Sequence, residues 1–415
     1  MREMKDSGAN WIGQIPSAWQ SDKLKYHLKR KEPKNPGDMT VLSLYRELGI
    51  IPKDSRDDNH NQTSEDTSKY KYVKPGNFVV NKMKAWQGSV AVSDYEGIVS
   101  PAYYVYEFTD NAFDKRYFHH LLRGCYKDEF MRLSGGMRVG QWDLSSDDLN
   151  NTLVIIPPLN EQKKIAEFLD EKCSEIDALI SDIQAQIKIL EQYKRSTVIE
   201  TVTKGLDSNV PLKDSGIQWI GKIPETWNCV RGKYILQYIT KPIKENDGVI
   251  TCFRDGEVTL RSKRREEGFT MADKEIGYQG IDVGDLVVHG MDGFAGAIGI
   301  SDSRGKASPV LNVLETEQNK RYIMYFLRSM AYGDVFLALA TGIRVRSCDL
   351  RWNKLAELFY PIPSLEEQNA IVDYIDRIIK ETNDVIADKT EQITTLESYK
   401  KSIIFEYVTG KKEVV

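Results

Sequence analysis

Gly216–Lys222, GIQWIGK, has the G-x4-G-K spacing with which a glycine-rich loop cradles phosphates. Ile223 follows it, where that chemistry needs a Ser or Thr hydroxyl for the metal. The related stretch GANWIGQ carries Gln14 in place of the lysine. A turn flanked by packed tryptophans accounts for both stretches better than a nucleotide site does. Gly293–Gly299, GFAGAIG, has the glycines of a cofactor loop but no helix pattern behind it, and the corresponding WQGSVAV loses the spacing. There is no Asn-Pro-Pro-aromatic tetrapeptide of an amino-methyltransferase. Glu161-Gln162-Lys163 lies at a helix start and not in a nuclease carboxylate cluster. The five histidines suggest no triad, and the five cysteines are scattered without CxxC spacing. The chain therefore reads as non-catalytic, with no metal and no cofactor of its own. The odd cysteine count, with no apolar leader at MREMKDSGANW and no run of about 20 apolar residues, predicts a reduced, cytoplasmic protein without a membrane partner.

What remains is charge interleaved with aromatic residues. One cluster holds Lys69, Tyr70, Lys71, Tyr72 and Lys74, then Lys82, Lys84 and Trp86; a second holds Arg254, Arg261, Lys263, Arg264 and Arg265. Such runs are most often solvated surface, but here they occur in both halves of the chain, which makes nucleic acid a serious option. Arg138 and Arg344 each follow a Gly-x step, with Arg346 just beyond the second. Their ordinary reading is a surface salt bridge; the functional one is a turn that offers backbone and guanidinium to a phosphate.

The halves are copies. DSGANWIGQIPSAW (Asp6–Trp19) returns 208 positions later as DSGIQWIGKIPETW (Asp214–Trp227). At the same offset PGNFVVNKM matches VGDLVVHGM, and at 206 GGMRVGQWDL matches TGIRVRSCDL and PPLNEQKKIAEFLD matches PSLEEQNAIVDYID. This period is too long for a solenoid, so the chain is read as two tandem copies of one domain-plus-helix unit. The boundaries are 1–157, 158–206, 207–363 and 364–415. The first part of each copy has short strand-like runs between Gly, Pro and Asp, with one amphipathic helix near Arg116–Gly124 or Arg321–Ser329.

The last part of each copy is a long helix. Glu161 to Thr203 contains no Pro and no Gly. Apolar residues recur by threes, fours and sevens at Ile165, Leu169, Ile176, Ile180, Ile183, Ile187 and Leu190, and again at Ile371, Ile375, Ile378, Val385, Ile393, Leu396 and Ile403. Each helix spans about 65 Å. Alone it would expose its stripe, so the two are expected to pair antiparallel, with a mixed α/β domain at either end. Net charge is +1, −2, +1 and −4 over the four segments. The acidic excess thus lies on the helices, which suit protein better than phosphate.

This arrangement resembles the specificity subunit of type I restriction-modification systems. The resemblance covers essentially the whole chain and rests on SGANWIGQIPSAW, on NKMKAWQGSVAV with SPAYYVY, on IPPLNEQKKIAEFLD, and on their ordered duplication. It implies two target recognition domains, each reading half of a bipartite site in double-stranded DNA. The helices would set the spacing and dock two methyltransferase subunits, to which restriction and translocase subunits add. S-adenosylmethionine, ATP and Mg would be bound by those partners. Same-face half-sites lie about 34 Å apart, within reach of such helices. If the half-sites differ, shared residues such as Arg138 and Arg344 should serve phosphate. Base readers should lie where the copies diverge: Lys82, Lys84, Trp86, Gln141, Arg254, Arg261, Lys263 and Arg264. The second domain has HGMDGFAGAIG where the first has NKMKAWQGSVA, so their contacts need not be equivalent. The alternative is a two-ended coiled-coil adaptor that bridges proteins and protects no DNA sequence.

Overall fold

Phe78, Val79 and Val80, and likewise Leu286, Val287 and Val288, form continuous apolar runs because each run lies on an inner strand of a sheet buried on both faces. In the computed structural model, which describes residues 2–46, 48–55, 66–136, 142–264, 276–339 and 350–414, the chain divides into two compact units. The first comprises Met1–Ile183 and Glu391–Val415, the second Gln184–Thr390. Each unit therefore takes part of both long helices, unlike the linear segmentation read from the sequence.

In the first unit a four-stranded antiparallel sheet runs Leu28–Lys31, Tyr103–Phe108, Phe78–Asn81, Val90–Val92. Phe78, Val80 and Tyr106 point into a core with α1 (Lys115–Cys125). Val79, Val105 and Ala91 point the other way, onto the hairpin Leu42–Tyr45/Gly49–Pro52. Helices α2 (Lys127–Leu133) and α3 (Ser146–Asn151) follow, and then α4 (Leu159–Lys204). The second unit repeats the plan with strands Gln237–Ile239, Leu311–Glu315, Leu286–His289 and Ile298–Ile300. Its hairpin is Ile250–Cys252/Val258–Leu260. Its helices are α5 (Lys320–Tyr332), α6 (Val335–Ala338), α7 (Trp352–Leu355) and α8 (Leu365–Val408).

The repeated opening phrase is a clasp on the long helices. Asp6 and Asp214 each accept the N–H two residues on, at 2.9 Å, closing the turn. The phrase then buries Ile15 and Trp19 in one unit, Ile223 and Trp227 in the other. Trp19 donates to Glu161 at 3.0 Å and Trp227 donates to Glu367 at 3.0 Å. The adjacent Gln162 is fully buried; it accepts from Asp114 N at 2.8 Å and donates to Ala112 and Pro157 carbonyls. Gln368 does the equivalent with Asn319 N, Pro363 O and Gln318. The incoming end of the other helix closes the clasp. Tyr117 donates to Val408 O in the first unit, and Tyr322 to Val202 O in the second. Gly410 and Gly205 end these helices at φ +71° and +77°.

Within each unit the helix segments run antiparallel. In the first, Phe168 lies 4.4 Å from Tyr407, and Asp177 accepts from Lys400 at 2.6 Å. In the second, Gln186 accepts from Lys389 at 2.6 Å, and Lys194 donates to Asn383 at 2.8 Å. Of the expected seam positions, Ile165, Leu169, Ile176, Ile371, Ile375 and Ile403 are buried. Ile180, Ile183, Ile187, Leu190, Ile378, Ile393 and Leu396 are half-buried. Val385 is not in the seam: it is 43% exposed, while Thr382 is buried and Ile386 half-buried. The heptad steps through 375, 379, 382, 386, 389, 393 and 396, so two of its positions hold Thr and Lys, and a count of apolar residues slips past them. Cys173, Val198 and Val202 are further buried positions on α4. No helix among the described residues is long and apolar enough to cross a membrane.

Candidate nucleic-acid interface

The polar candidates of the first unit gather around a 3-10 turn, Ala85–Gln87, that follows the inner strand. Gly88 ends it at φ +88°, a conformation that suits glycine. Lys82 is held by Asp143 at 3.0 Å, and its carbonyl accepts from Leu144 N at 2.9 Å. Lys84 is exposed and makes no ion pair among the described residues. Trp86 is half-buried, donates to Met83 O at 3.1 Å, and meets Trp142 edge-on at 5.7 Å. Met83 is 37% exposed. Among the described residues the turn thus presents an ammonium without an ion-pair partner, one thioether and two half-buried indoles, groups that can take phosphate and contact bases.

The second unit has the same turn at Gly293–Ala295, ended by Gly296, with different chemistry. Gly290 and Asp292 stand where the first unit has Lys82 and Lys84, and Met291 is 48% exposed. Arg254 donates to Asp292 at 2.9 Å. His289 Nδ1 accepts from Asp292 N at 2.9 Å, which fixes the turn, and burial holds its pKa below the ordinary value. Arg264 pairs with Asp255 and Glu257 at 2.8 and 2.9 Å and lies 4.1 Å over Phe253. Arg261 donates to Thr251 at 3.1 Å; Lys263 donates to Ser303 and Asp302 at 2.8 and 3.2 Å. Among the described residues the basic candidates here are tied to carboxylates or hydroxyls, whereas Lys84 in the first unit is not.

Arg138, Gln141, Arg344 and Arg346 lie outside the described residues. The structure adds Arg46, which sequence reasoning missed. It sits at the tip of the 42–52 hairpin and donates to Gln87 of the turn. Its carbonyl accepts from Arg123 of α1, which also lies 3.0 Å from His119 Nε2. Burial and the Arg123 charge depress His119 to about 3, so it is neutral at pH 7. The signal was present in the repeat: Tyr45-Arg46 and Phe253-Arg254 share the 208 offset. Arg254 is therefore a shared residue and not, as its cluster suggested, one on which the copies diverge.

Residues 24–189 match the family described as the type I restriction modification DNA specificity domain. The type I restriction enzyme MjaVIII specificity subunit of Methanocaldococcus jannaschii is 25% identical over 428 residues, covering 96% of this chain and 94% of that protein. Among solved structures, one of complex assembly and conformational transition of the type I R-M system superposes with a TM-score of 0.68 at 16% identity, over 96% of this chain and 99% of the other. The HsdS subunit of Thermoanaerobacter tengcongensis gives 0.50 at 16% identity, over 96% of this chain and 98% of that one. At that identity the likeness speaks for the fold. Over residues 24–189 the chain thus resembles that specificity domain, and along nearly its whole length it is similar to a specificity subunit of a type I restriction enzyme.

Proposed function

We propose that each unit reads one half of a bipartite, asymmetric site in double-stranded DNA and that the chain itself catalyses nothing. The observation that carries this reading is one fold built twice with the same clasp but with different turns: Lys82-Met83-Lys84 in one unit, Gly290-Met291-Asp292 in the other. Scaffold is held constant while the face that could meet a base is varied, as two different half-sites require. The acidic long helices are the docking surfaces for two methyltransferase subunits, and restriction and translocase subunits join through that core. S-adenosylmethionine, ATP and Mg belong to those partners, and the assembly works in the cytoplasm. The near-neutral globular segments leave much of the phosphate affinity to the partners.

The test is to co-express the chain with its methyltransferase partner and sequence the methylated adenines in host DNA. A split asymmetric motif is expected. Exchanging the segment 207–363 for a second copy of 1–157 should turn it into a palindrome of the first half-site. A stable complex that marks no motif would favour the adaptor instead.

A further inference from the structure

We infer that Arg46 and Arg254 are equivalent phosphate contacts, one in each unit, that grip DNA regardless of its sequence; this rests on the DNA-reading function proposed above. Both follow an aromatic residue, Tyr45 at the end of its hairpin strand and Phe253 just past the end of its own, and both are exposed. Both reach to the 3-10 turn region, one to Gln87 within the turn and the other to Asp292, the residue that caps its start. Each hairpin tip is held by an arginine of the helix beneath: Arg123 donates to Arg46 O, and Arg328 to Asp255 O. In the second unit the fit is close, since a Cβ on Gly296 would meet Arg254 O at 2.7 Å. A fixed backbone that carries an exposed guanidinium beside a varied turn suits a contact with what every target shares, the phosphodiester.

The environments differ in one respect. Arg46 shares its guanidinium with a neutral amide, whereas Arg254 rests on a carboxylate whose charge a phosphate would have to replace. Asp292 thus acts as a resident competitor for phosphate in the second unit only.

The test uses the full chain assembled with its methyltransferase partner, titrated over a salt series with a duplex bearing the motif and with one lacking it. R46A and R254A should each weaken both duplexes by the same factor, on the order of tenfold, lower the salt slope by about one, and leave the methylated motif unchanged. R46K and R254K should recover the slope, and D292N should tighten binding to both duplexes. Loss confined to the motif duplex, or an altered motif, would make these residues base readers and overturn the assignment. So would unchanged affinity in folded R46A and R254A complexes. If the wild-type complex marks no motif at all, the recognition reading fails first and this assignment falls with it.

Discussion

Trp19 spends its indole N–H on the Glu161 carboxylate, 3.0 Å away, on the first turn of a 46-residue helix. Arg2 donates to the same carboxylate, so one glutamate ties the opening phrase to the helix it precedes. Glu161→Ala should leave a buried indole N–H without a partner and cost about 1–3 kcal/mol. Trp19→Phe, which removes the donor and leaves the Glu161 carboxylate to Arg2, should cost less for the hydrogen bond lost but adds a cavity. A double-mutant cycle by urea denaturation gives the coupling; a value near zero would mean that the contact is incidental.

Charge placed on the helices should separate inward from outward positions. Ile375→Asp buries an unpaired carboxylate and should destabilise by several kcal/mol, with Ile183→Asp and Ile393→Asp intermediate. Val385→Asp, at an exposed position, should stay within about 0.5 kcal/mol of wild type. Thermal unfolding of the four variants decides. A Val385→Asp loss as large as that of Ile375→Asp would restore Val385 to the seam.

His119 gives the first unit a pH dependence. Its folded pKa, about 3, lies below the ordinary value of about 6.5, so on acidification the unfolded chain takes up the proton first. Stability is whole above pH 6.5 and falls as pH drops towards 3, by at most about 1.4 kcal/mol per pH unit. Between pH 6.5 and 5.0 wild type should lose up to about 2 kcal/mol more than His119→Gln. Parallel urea curves for the two proteins across that window would show that His119 titrates freely.

Residues 1–207 alone hold one globular segment and one helix whose stripe lacks α8. Two copies can pair those stripes antiparallel with true twofold symmetry. The fragment should therefore dimerise and, with the methyltransferase, mark a palindrome of the first half-site. Light scattering and methylome sequencing read the two outcomes. A folded monomer would count against the pairing, and a dimer marking the original asymmetric site would sink the assignment of one unit to one half-site.

The long helices were legible because forty-odd residues without Pro or Gly and with apolar residues at helical spacing admit little else. Their seam was legible only where its residues are apolar. Thr382 and Lys389 hide two heptad positions, and Val385, one residue short of Ile386, took their place in the reading. Glu161 and Gln162 looked like an ordinary helix start. Their purpose depends on Trp19 and Asp114, contacts made 142 and 48 residues away in the chain. Arg46 was passed over because YRELGI forms no basic run. Only the pairing of its hairpin with the 3-10 turn gives it a neighbourhood. Local pattern reports what a segment is, and the repeat offset reports what is shared; neither reports which distant group answers a given side chain.

Because the first unit is assembled from Met1–Ile183 and Glu391–Val415, a ribosome delivers its two parts before and after the second unit. Val408, fully buried with its carbonyl accepting from Tyr117, emerges only after the whole second unit. The second unit, continuous from Gln184 to Thr390, has all its parts beforehand. The N-terminal half of the nascent chain must therefore wait, exposing sheet and helix faces, while the later half closes. A premature stop near residue 390 would accordingly spare the second unit and disable the first, although the first is begun earlier.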